Sequence, residues 1–306
     1  MNTELEQIMT EVGKVVKGKD RVIRKVLAAV LAGGHVLLED IPGVGKTTLA
    51  MALGKSMELE YKRMQFTPDV LPSDIVGFTM YNSGTGEFEY RKGAVFCNLF
   101  LADELNRTSS KTQSALLEVM EESKVTVDGV SYPLPKPFTV IATENPFGSS
   151  GTQLLPESQL DRFLICLNMG YPAHEAAVDI LRNSAGAGID QVQSVITVER
   201  LMELKKQAET LHVEDSIYEY LVQLTEATRQ EPRIALGVSP RGGIALLKMA
   251  KAMALLRGGE YVIPEDVLAV IDDVWRHRIH LNAKARAEGM DVSDVILEIT
   301  ERIHAV

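Results

Sequence analysis

Long apolar runs are missing from this chain. The longest, residues 26–38, is cut by Gly33-Gly34-His35 and is too short to span a bilayer. The N-terminus is acidic and lacks the apolar core of a signal peptide, so a cytoplasmic protein without a membrane segment is expected. Cysteine is scarce as well: the two present, Cys97 and Cys166, sit in apolar surroundings without metal-ligand spacing. A disulfide framework is thereby excluded, and buried thiols in a reducing compartment are expected. Positive charge is in deficit. With 32 Lys and Arg against 42 Asp and Glu, the net charge of −10 argues against a general nucleic-acid binder, whose surface must attract phosphate. A local basic pore or groove stays open. Internal repeats and low-complexity tracts are also lacking. At 306 residues, 45% hydrophobic and 24% charged, the chain suits one large globular domain or two medium ones.

What the sequence does have is Val36-Leu37-Leu38-Glu39-Asp40-Ile41-Pro42-Gly43-Val44-Gly45-Lys46-Thr47, an apolar strand running into a phosphate-cradling loop. Gly43 and Gly45 let the backbone turn its N–H groups toward phosphate oxygens, Lys46 adds a point charge for the β- and γ-phosphates, and the Thr47 hydroxyl can hold Mg²⁺. The helix expected from Thr47-Thr48 onward also directs its positive end at the phosphates. Asp40 stands where such loops usually begin with glycine.

Strand and helix signals then alternate. Strands are expected at 36–39, 61–66, 98–102 and 138–142, with helices at 47–57 and 110–122, after two N-terminal helices carrying Leu5, Ile8 and Val12, then Val22, Ile23 and Val26. This is the pattern of an α/β fold, a parallel sheet flanked by helices, whose ligands sit beyond the carboxyl ends of the strands. Two hairpins interrupt it, one turning at Ser83-Gly84-Thr85-Gly86 and one at Asp128-Gly129, a strong type I′ signal. Past residue 185 helices dominate, at 198–211, 215–230, 240–257, 265–281 and 293–304. Ser239-Pro240 and Pro264-Glu265-Asp266 are good helix starts. The expected domains are residues 1–185, α/β, and residues 186–306, a small all-helical unit.

Candidate chemistry falls at strand ends. Asn98-Leu99-Phe100-Leu101-Ala102-Asp103-Glu104 is an apolar strand ending in two carboxylates: Asp103 is placed to hold Mg²⁺ and Glu104 to deprotonate a water attacking the γ-phosphate. Asn145, after the strand Phe138-Thr139-Val140-Ile141-Ala142, offers an amide to that water or to the γ-phosphate. Arg162, beside Asp161, suits a structural ion pair as well as a functional role. Arg241 lies in the first turn of a helix, where a cation opposes the macrodipole; it is either aimed at an anion, nucleotide phosphate being the obvious one, or solvated. His277 and His280 lack further metal ligands and read as a helix face. Trp275, with Val267, Val270, Ile271 and Val274, reads as helical core, and Lys205-Lys206 as a solvated face.

Taken together, these stretches resemble the MoxR family of AAA+ ATPases. Carrying the resemblance are Gly34-His35-Val36-Leu37-Leu38-Glu39-Asp40 with the P-loop, Leu71-Pro72-Ser73-Asp74-Ile75-Val76-Gly77, Thr85-Gly86-Glu87-Phe88, and Leu101-Ala102-Asp103-Glu104-Leu105-Asn106-Arg107. Lys111-Thr112-Gln113-Ser114-Ala115-Leu116-Leu117-Glu118, Ala142-Thr143-Glu144-Asn145-Pro146, Leu155-Pro156-Glu157-Ser158-Gln159-Leu160-Asp161-Arg162-Phe163 and Val238-Ser239-Pro240-Arg241 extend it over nearly the whole chain. Departures are slight: Glu144 where Gln is usual, and Ser158 where Ala is usual. The Glu-Asp-x-Pro-Gly opening, Asp40 included, is the family's own form of the loop.

The resemblance implies an AAA+ P-loop NTPase domain followed by a helical lid, binding ATP and Mg²⁺. Residues Pro42, Gly43, Val44, Gly45, Lys46, Thr47 and Thr48 would form Walker A, Asp103 and Glu104 Walker B, Asn145 sensor 1 and Arg241 sensor 2. Arg162 would be an arginine finger reaching a neighbouring subunit's ATP. Residues 79–95 would be the helix-2 insert and 124–134 the pre-sensor-1 hairpin, both facing a ring pore. A homo-oligomeric ring, commonly a hexamer, acting as a chaperone-like remodeler of client proteins, often with a von Willebrand A-domain partner, is the implied assembly. Two other readings compete: a nucleotide-dependent scaffold with little turnover, and a nucleic-acid motor of the same clade. The hairpins carry little positive charge for the latter (Arg91 and Lys92 on one flank, Lys124 at a base).

Overall fold

Apolar runs that need cover on both faces decide the centre of the molecule. The computed structural model describes residues 2–41, 43–145, 155–182 and 188–305. In chain order the first unit comprises α1 (Thr3–Gly13), α2 (Asp20–Leu31), β1 (Val36–Glu39), α3 (Lys46–Ser56), β2 (Tyr61–Gln65), α4 (Pro72–Val76), β3 (Gly77–Asn82), β4 (Glu87–Lys92) and β5 (Leu99–Asp103). It continues with α5 (Ser110–Glu122), β6 (Lys124–Val127), β7 (Val130–Pro133), β8 (Thr139–Glu144), α6 (Glu157–Leu160), β9 (Ile165–Leu167) and α7 (His174–Arg182). The second unit holds α8 (Val198–Thr210), α9 (Asp215–Gln230), β10 (Ile234–Leu236), α10 (Pro240–Arg257), α11 (Pro264–Leu268), α12 (Ile271–Trp275), β11 (His280–Leu281), α13 (Ala283–Ala287) and α14 (Val292–Arg302). The boundary expected at 185/186 lies outside the described residues.

Strands β2, β5, β8, β1 and β9 lie side by side in that order, all parallel. β1 buries Val36, Leu37 and Leu38 completely. Val36 and Leu38 join an apolar cluster with α1, α2 and α3, while Leu37 joins another with α5, as alternation across a covered parallel strand requires. The first cluster continues without a break into the second unit through Leu201, Leu224, Leu246 and Trp275. The two units therefore share a core. Trp275, fully buried, also donates its indole N–H to the Gly242 carbonyl at 3.1 Å. Across the same contact Lys25 of α2 and Asp273 of α12 form a buried ion pair, burial pulling the Lys25 ammonium down and pushing the Asp273 carboxyl up.

Local chemistry sets the element ends. Asn2 caps α1 by accepting from the amides of Glu4 and Leu5, with acids in the first turn. Ser239 caps α10, Pro240 opens it and Gly258, at φ 79°, closes it. Both expected hairpins form. In β6–β7, Asp128 (φ 50°) and Gly129 (φ 79°) give the two left-handed residues of a type I′ turn. The β3–β4 hairpin is braced at its base by Tyr90 stacked on Tyr132 at 4.0 Å, and nearer its tip exposes the edge-to-face pair Tyr81 and Phe88.

Several expectations need correction. The second unit is not all helical, because β10 and β11 pair antiparallel. The single helix expected at 265–281 is broken: Val270 turns to φ −131°, ψ −4° between α11 and α12, and the chain then extends into β11. His277 and His280 are thus not a helix face; His277 is buried with Nε2 at 3.2 Å from the Phe163 carbonyl, and His280 lies 3.2 Å from Glu157. Of the pair expected on a solvated face, Lys206 is exposed but Lys205 is half-buried. Its ammonium reaches the Val30 carbonyl at the end of α2 (3.1 Å), and burial brings it down to about 8. Cys97 and Cys166 are buried free thiols, as expected. Among the described residues no helix is long and apolar enough to cross a membrane, and no group of three or more His, Cys, Asp or Glu is disposed to hold a metal.

Candidate nucleotide-binding site

Because β8 lies between β5 and β1, the three strands deliver their carboxyl ends to one cleft of about 390 Å³. Gly43, Gly45, Lys46, Thr47, Thr48, Arg63, Gln65, Asp103, Glu104 and Asn145 line it. Pro42 and Pro146 lie outside the described residues.

The loop is built on backbone that other residues adopt at a cost. Gly43 (φ 85°) and Gly45 (φ 97°) are both left-handed, and a Cβ at Gly43 would meet nothing within 4 Å. α3 begins at Lys46, one residue earlier than expected, with Gly45 as N-cap and no side chain capping its first-turn amides. Val44 packs against the core. The Lys46 ammonium is buried and donates to the Asp40 backbone carbonyl at 2.7 Å. Burial pulls it down, while the charges of Asp103, Asp40 and Glu104 hold it up. A buried ammonium on a neutral carbonyl, beside uncapped amides and open ground, suits a polyanion.

Asp103 is fully engaged. Oδ1 accepts from the Thr143 hydroxyl at 2.7 Å, and Oδ2 from Arg63 Nη2 at 2.7 Å and Nε at 3.1 Å. Thr143 also accepts from the Glu104 amide at 2.8 Å, which locks the ends of β5 and β8 together. Glu104 takes a left-handed backbone (φ 56°, ψ 48°), uncommon for a residue with a Cβ, and its carboxylate accepts from Arg107 Nη1 at 2.6 Å. Asn106 donates to the Asn145 carbonyl at 3.1 Å and so positions the residue that follows β8. Just before Asn145, Glu144 is buried with Oε1 unpartnered and lies in register with Glu39 of β1. Burial first, then the Glu39 charge, raises its carboxyl to about 7.

Arg162 and Arg241 are brought together, but not here. Both contact Glu121 on α5, Arg162 at 3.3 Å and Arg241 at 3.4 Å, in a separate cleft of about 220 Å³. Arg241 also lies 4.0 Å from Asp161, so the anion opposite this first-turn cation within the chain is a carboxylate pair. Of the two alternatives for Arg241, an anion or solvent, it meets an anion, but within this chain that anion is not at the P-loop cleft. Arg278 secures the Arg162 loop, binding Asp161 Oδ1 at 2.7 Å and the Phe163 carbonyl at 2.6 Å.

Arg63, Arg107, Thr143 and Arg278 escape sequence reasoning. Arg63 and Gln65 left a faint signal, two polar residues at i, i+2 on a strand beside the carboxylate strand and so on one face. Arg107 lies only three residues from Glu104 within one motif, whereas Thr143 and Arg278 depend on contacts no local pattern encodes.

Residues 35–165 match the family described as "ATPase family associated with various cellular activities (AAA)", and residues 226–299 match "AAA lid domain". The Bacillus subtilis protein YeaC is 47% identical over 300 residues, covering 98% of this chain and 94% of that one. Chaperone MoxR1 of Mycobacterium tuberculosis is 38% identical over 308 residues, covering 98% and 81% respectively. The crystal structure of a protein from Cytophaga hutchinsonii superposes with a TM-score of 0.91 at 38% identity, covering 99% of this chain and 95% of that one. With its P-loop, its strand-end carboxylates and full-length relatives of this kind, the chain belongs to the MoxR family of AAA+ ATPases.

Proposed function

We propose that this ATPase hydrolyses Mg²⁺-ATP as a homo-oligomeric ring, closed by six subunits as the family resemblance implies, and uses the cycle to remodel client proteins in the cytoplasm. The observation that carries this reading is the division of the cations. Lys46, Asp103, Glu104 and Asn145 share the P-loop cleft, whereas Arg162 and Arg241 sit together elsewhere on Glu121. A cleft that Arg162 and Arg241 do not line, on a protomer that holds both of them on a separate face, is what head-to-tail assembly would complete.

In this reading the α3 amides and Lys46 bind the β- and γ-phosphates, Lys46 leaving the Asp40 carbonyl to do so. Thr47 and Asp103 are the residues to hold Mg²⁺, which neutralises phosphate charge when bound; two protein oxygens are a donor set that ion accepts beside substrate phosphates. Glu104 turns from Arg107 to take a proton from the attacking water, and Asn145 orients that water. Arg162 and Arg241 exchange Glu121 for the neighbour's γ-phosphate, a contribution on the order of 10³–10⁵ in rate for such a finger. The exposed Tyr81 and Phe88 on the β3–β4 hairpin offer apolar contact to a client. A von Willebrand A-domain partner is supported by the family resemblance alone.

Glu104→Gln tests the proposal directly. ATP binding should persist while turnover falls about 10²–10⁴-fold; undiminished hydrolysis would remove Glu104 from the chemistry. The Glu104–Arg107 pair favours a second reading, a nucleotide-dependent scaffold whose base is held back. Turnover near the uncatalysed rate in the assembled wild-type ring would select that one.

A further inference from the structure

Asp40 is the residue at which this loop departs from the glycine most phosphate-binding loops carry, and the structure gives that departure four partners. Its amide donates to the Glu144 carbonyl at 3.0 Å, and its carbonyl accepts from Lys46 at 2.7 Å. Its carboxylate accepts from Ile41 N at 2.9 Å through Oδ1 and from Gly170 N at 2.5 Å through Oδ2. A carboxylate at the mouth of a polyanion site is electrostatically unfavourable for the ligand. Its presence needs another reason.

That reason lies in residues 169–171, which join β9 to α7 and so begin the passage from the sheet toward the second unit. Buried Lys19 grips the same segment from the other side, donating to the carbonyls of Met169 (2.6 Å), Gly170 (2.9 Å) and Tyr171 (2.8 Å). An ammonium has three donors, and all three are used. Three successive carbonyls converge on one nitrogen here with Gly170 in the left-handed region at φ 63°, a backbone glycine adopts freely. The segment is thus held at its N–H by Asp40 and at its carbonyls by Lys19.

We propose that Asp40 is a positioning residue that ties the phosphate-binding loop to the 169–171 crossing, so that the site and the route to the second unit move as one body. The inference rests on the nucleotide-binding reading of the cleft and deepens it. When a triphosphate takes Lys46 off the Asp40 carbonyl, the residue relieved of that contact is the one holding Gly170. The occupancy of the cleft is thereby passed to the crossing.

Two measurements on the full chain test this. In the nucleotide-free protein, Asp40→Ala should speed amide exchange at Gly170 roughly tenfold, the scale of one lost charge-assisted hydrogen bond, whereas Asp40→Asn, which keeps one of the two acceptor oxygens without the charge, should fall between Ala and wild type. Lys19→Met should loosen the same peptide with Asp40 intact, and it covers the case in which Asp40→Ala does not fold. In a Glu104→Gln background, equilibrium dialysis should then show ATP affinity about tenfold weaker for Asp40→Ala and partly restored by Asn. Unchanged Gly170 exchange in Asp40→Ala, or in Lys19→Met where Asp40→Ala does not fold, would overturn the tie. Faster exchange with unaltered ATP affinity would reduce Asp40 to a local brace and overturn the positioning role. Failure of every variant and of wild type to bind ATP would instead defeat the reading of the cleft, while the exchange data would still decide the tie.

Discussion

The guanidinium of Arg63 lies against Oδ2 of Asp103, 2.7 Å from Nη2 and 3.1 Å from Nε. β2 and β5 pair so that Gln65 stands opposite Asp103, and Arg63, two residues earlier on the same face, reaches the carboxylate diagonally. The oxygen proposed for Mg²⁺ is therefore already engaged by a cation. Replacing Arg63 with Met removes that competitor. The Mg²⁺ concentration for half-maximal turnover should fall about fivefold, the equivalent of about 1 kcal/mol for a partly exposed pair. A magnesium titration of ATPase activity checks this, and an unchanged or higher requirement would assign Arg63 another task.

Complementation decides where the arginines act. Arg162→Ala subunits keep Glu104, and Glu104→Gln subunits keep Arg162, so each alone should be nearly inactive. Mixed in one assembly, the second can donate its arginine to the first, and hydrolysis should recover to a measurable fraction of wild type. Arg241→Ala should behave alike. Mixtures as inactive as their components would confine the arginines to their own chain.

Glu144 should make stability depend on pH. Its folded carboxyl keeps a proton up to about 7, whereas the ordinary value is 4.5. The folded state therefore binds more protons between those values, and stability falls as pH rises through that window. Ionising the buried group costs about 3 kcal/mol. Glu144→Gln, neutral at all pH, should be more stable than wild type by roughly that amount at pH 8 and nearly equal to it at pH 4.5. Denaturant titrations at both values measure the difference; parallel behaviour of the two proteins would refute the assignment.

Lys25 and Asp273 join α2 to α12 without solvent to screen them. Lys25→Met should destabilise the protein by about 3–5 kcal/mol, because Asp273 is then buried unpaired. Lys25→Met with Asp273→Leu should regain most of that loss. Equal stability of the single and double variants, read by urea denaturation, would mean that the pair carries no such penalty.

Much of this fold is legible in the chain because its strands are buried on both faces and read as unbroken apolar runs: Val36-Leu37-Leu38, Leu99-Phe100-Leu101-Ala102 and Val140-Ile141-Ala142. Asp128-Gly129 fixes a hairpin through two residues that tolerate positive φ. The break at Val270 is not legible, since Val267, Val270, Ile271 and Val274 are all buried and keep helical spacing across it. β10 and β11 are too short to establish a period. In the site, groups within one motif declared themselves, Lys46, Thr47, Asp103 and Glu104 among them. Arg63 and Arg278 did not, because their partners lie 40 and 117 positions away and a cation carries no mark of the carboxylate it will meet. The pairing of Arg241 with Glu121 likewise depends on how the second unit rests on α5, a tertiary property.

Trp275 is the only tryptophan in the chain, and its N–H rests on Gly242, the residue after Arg241. Ultraviolet emission at long wavelength therefore comes from a single fluorophore wired to the turn that holds a proposed catalytic cation. Any departure of that turn from its resting place would alter the indole's surroundings and be visible in real time, without a dye or a label.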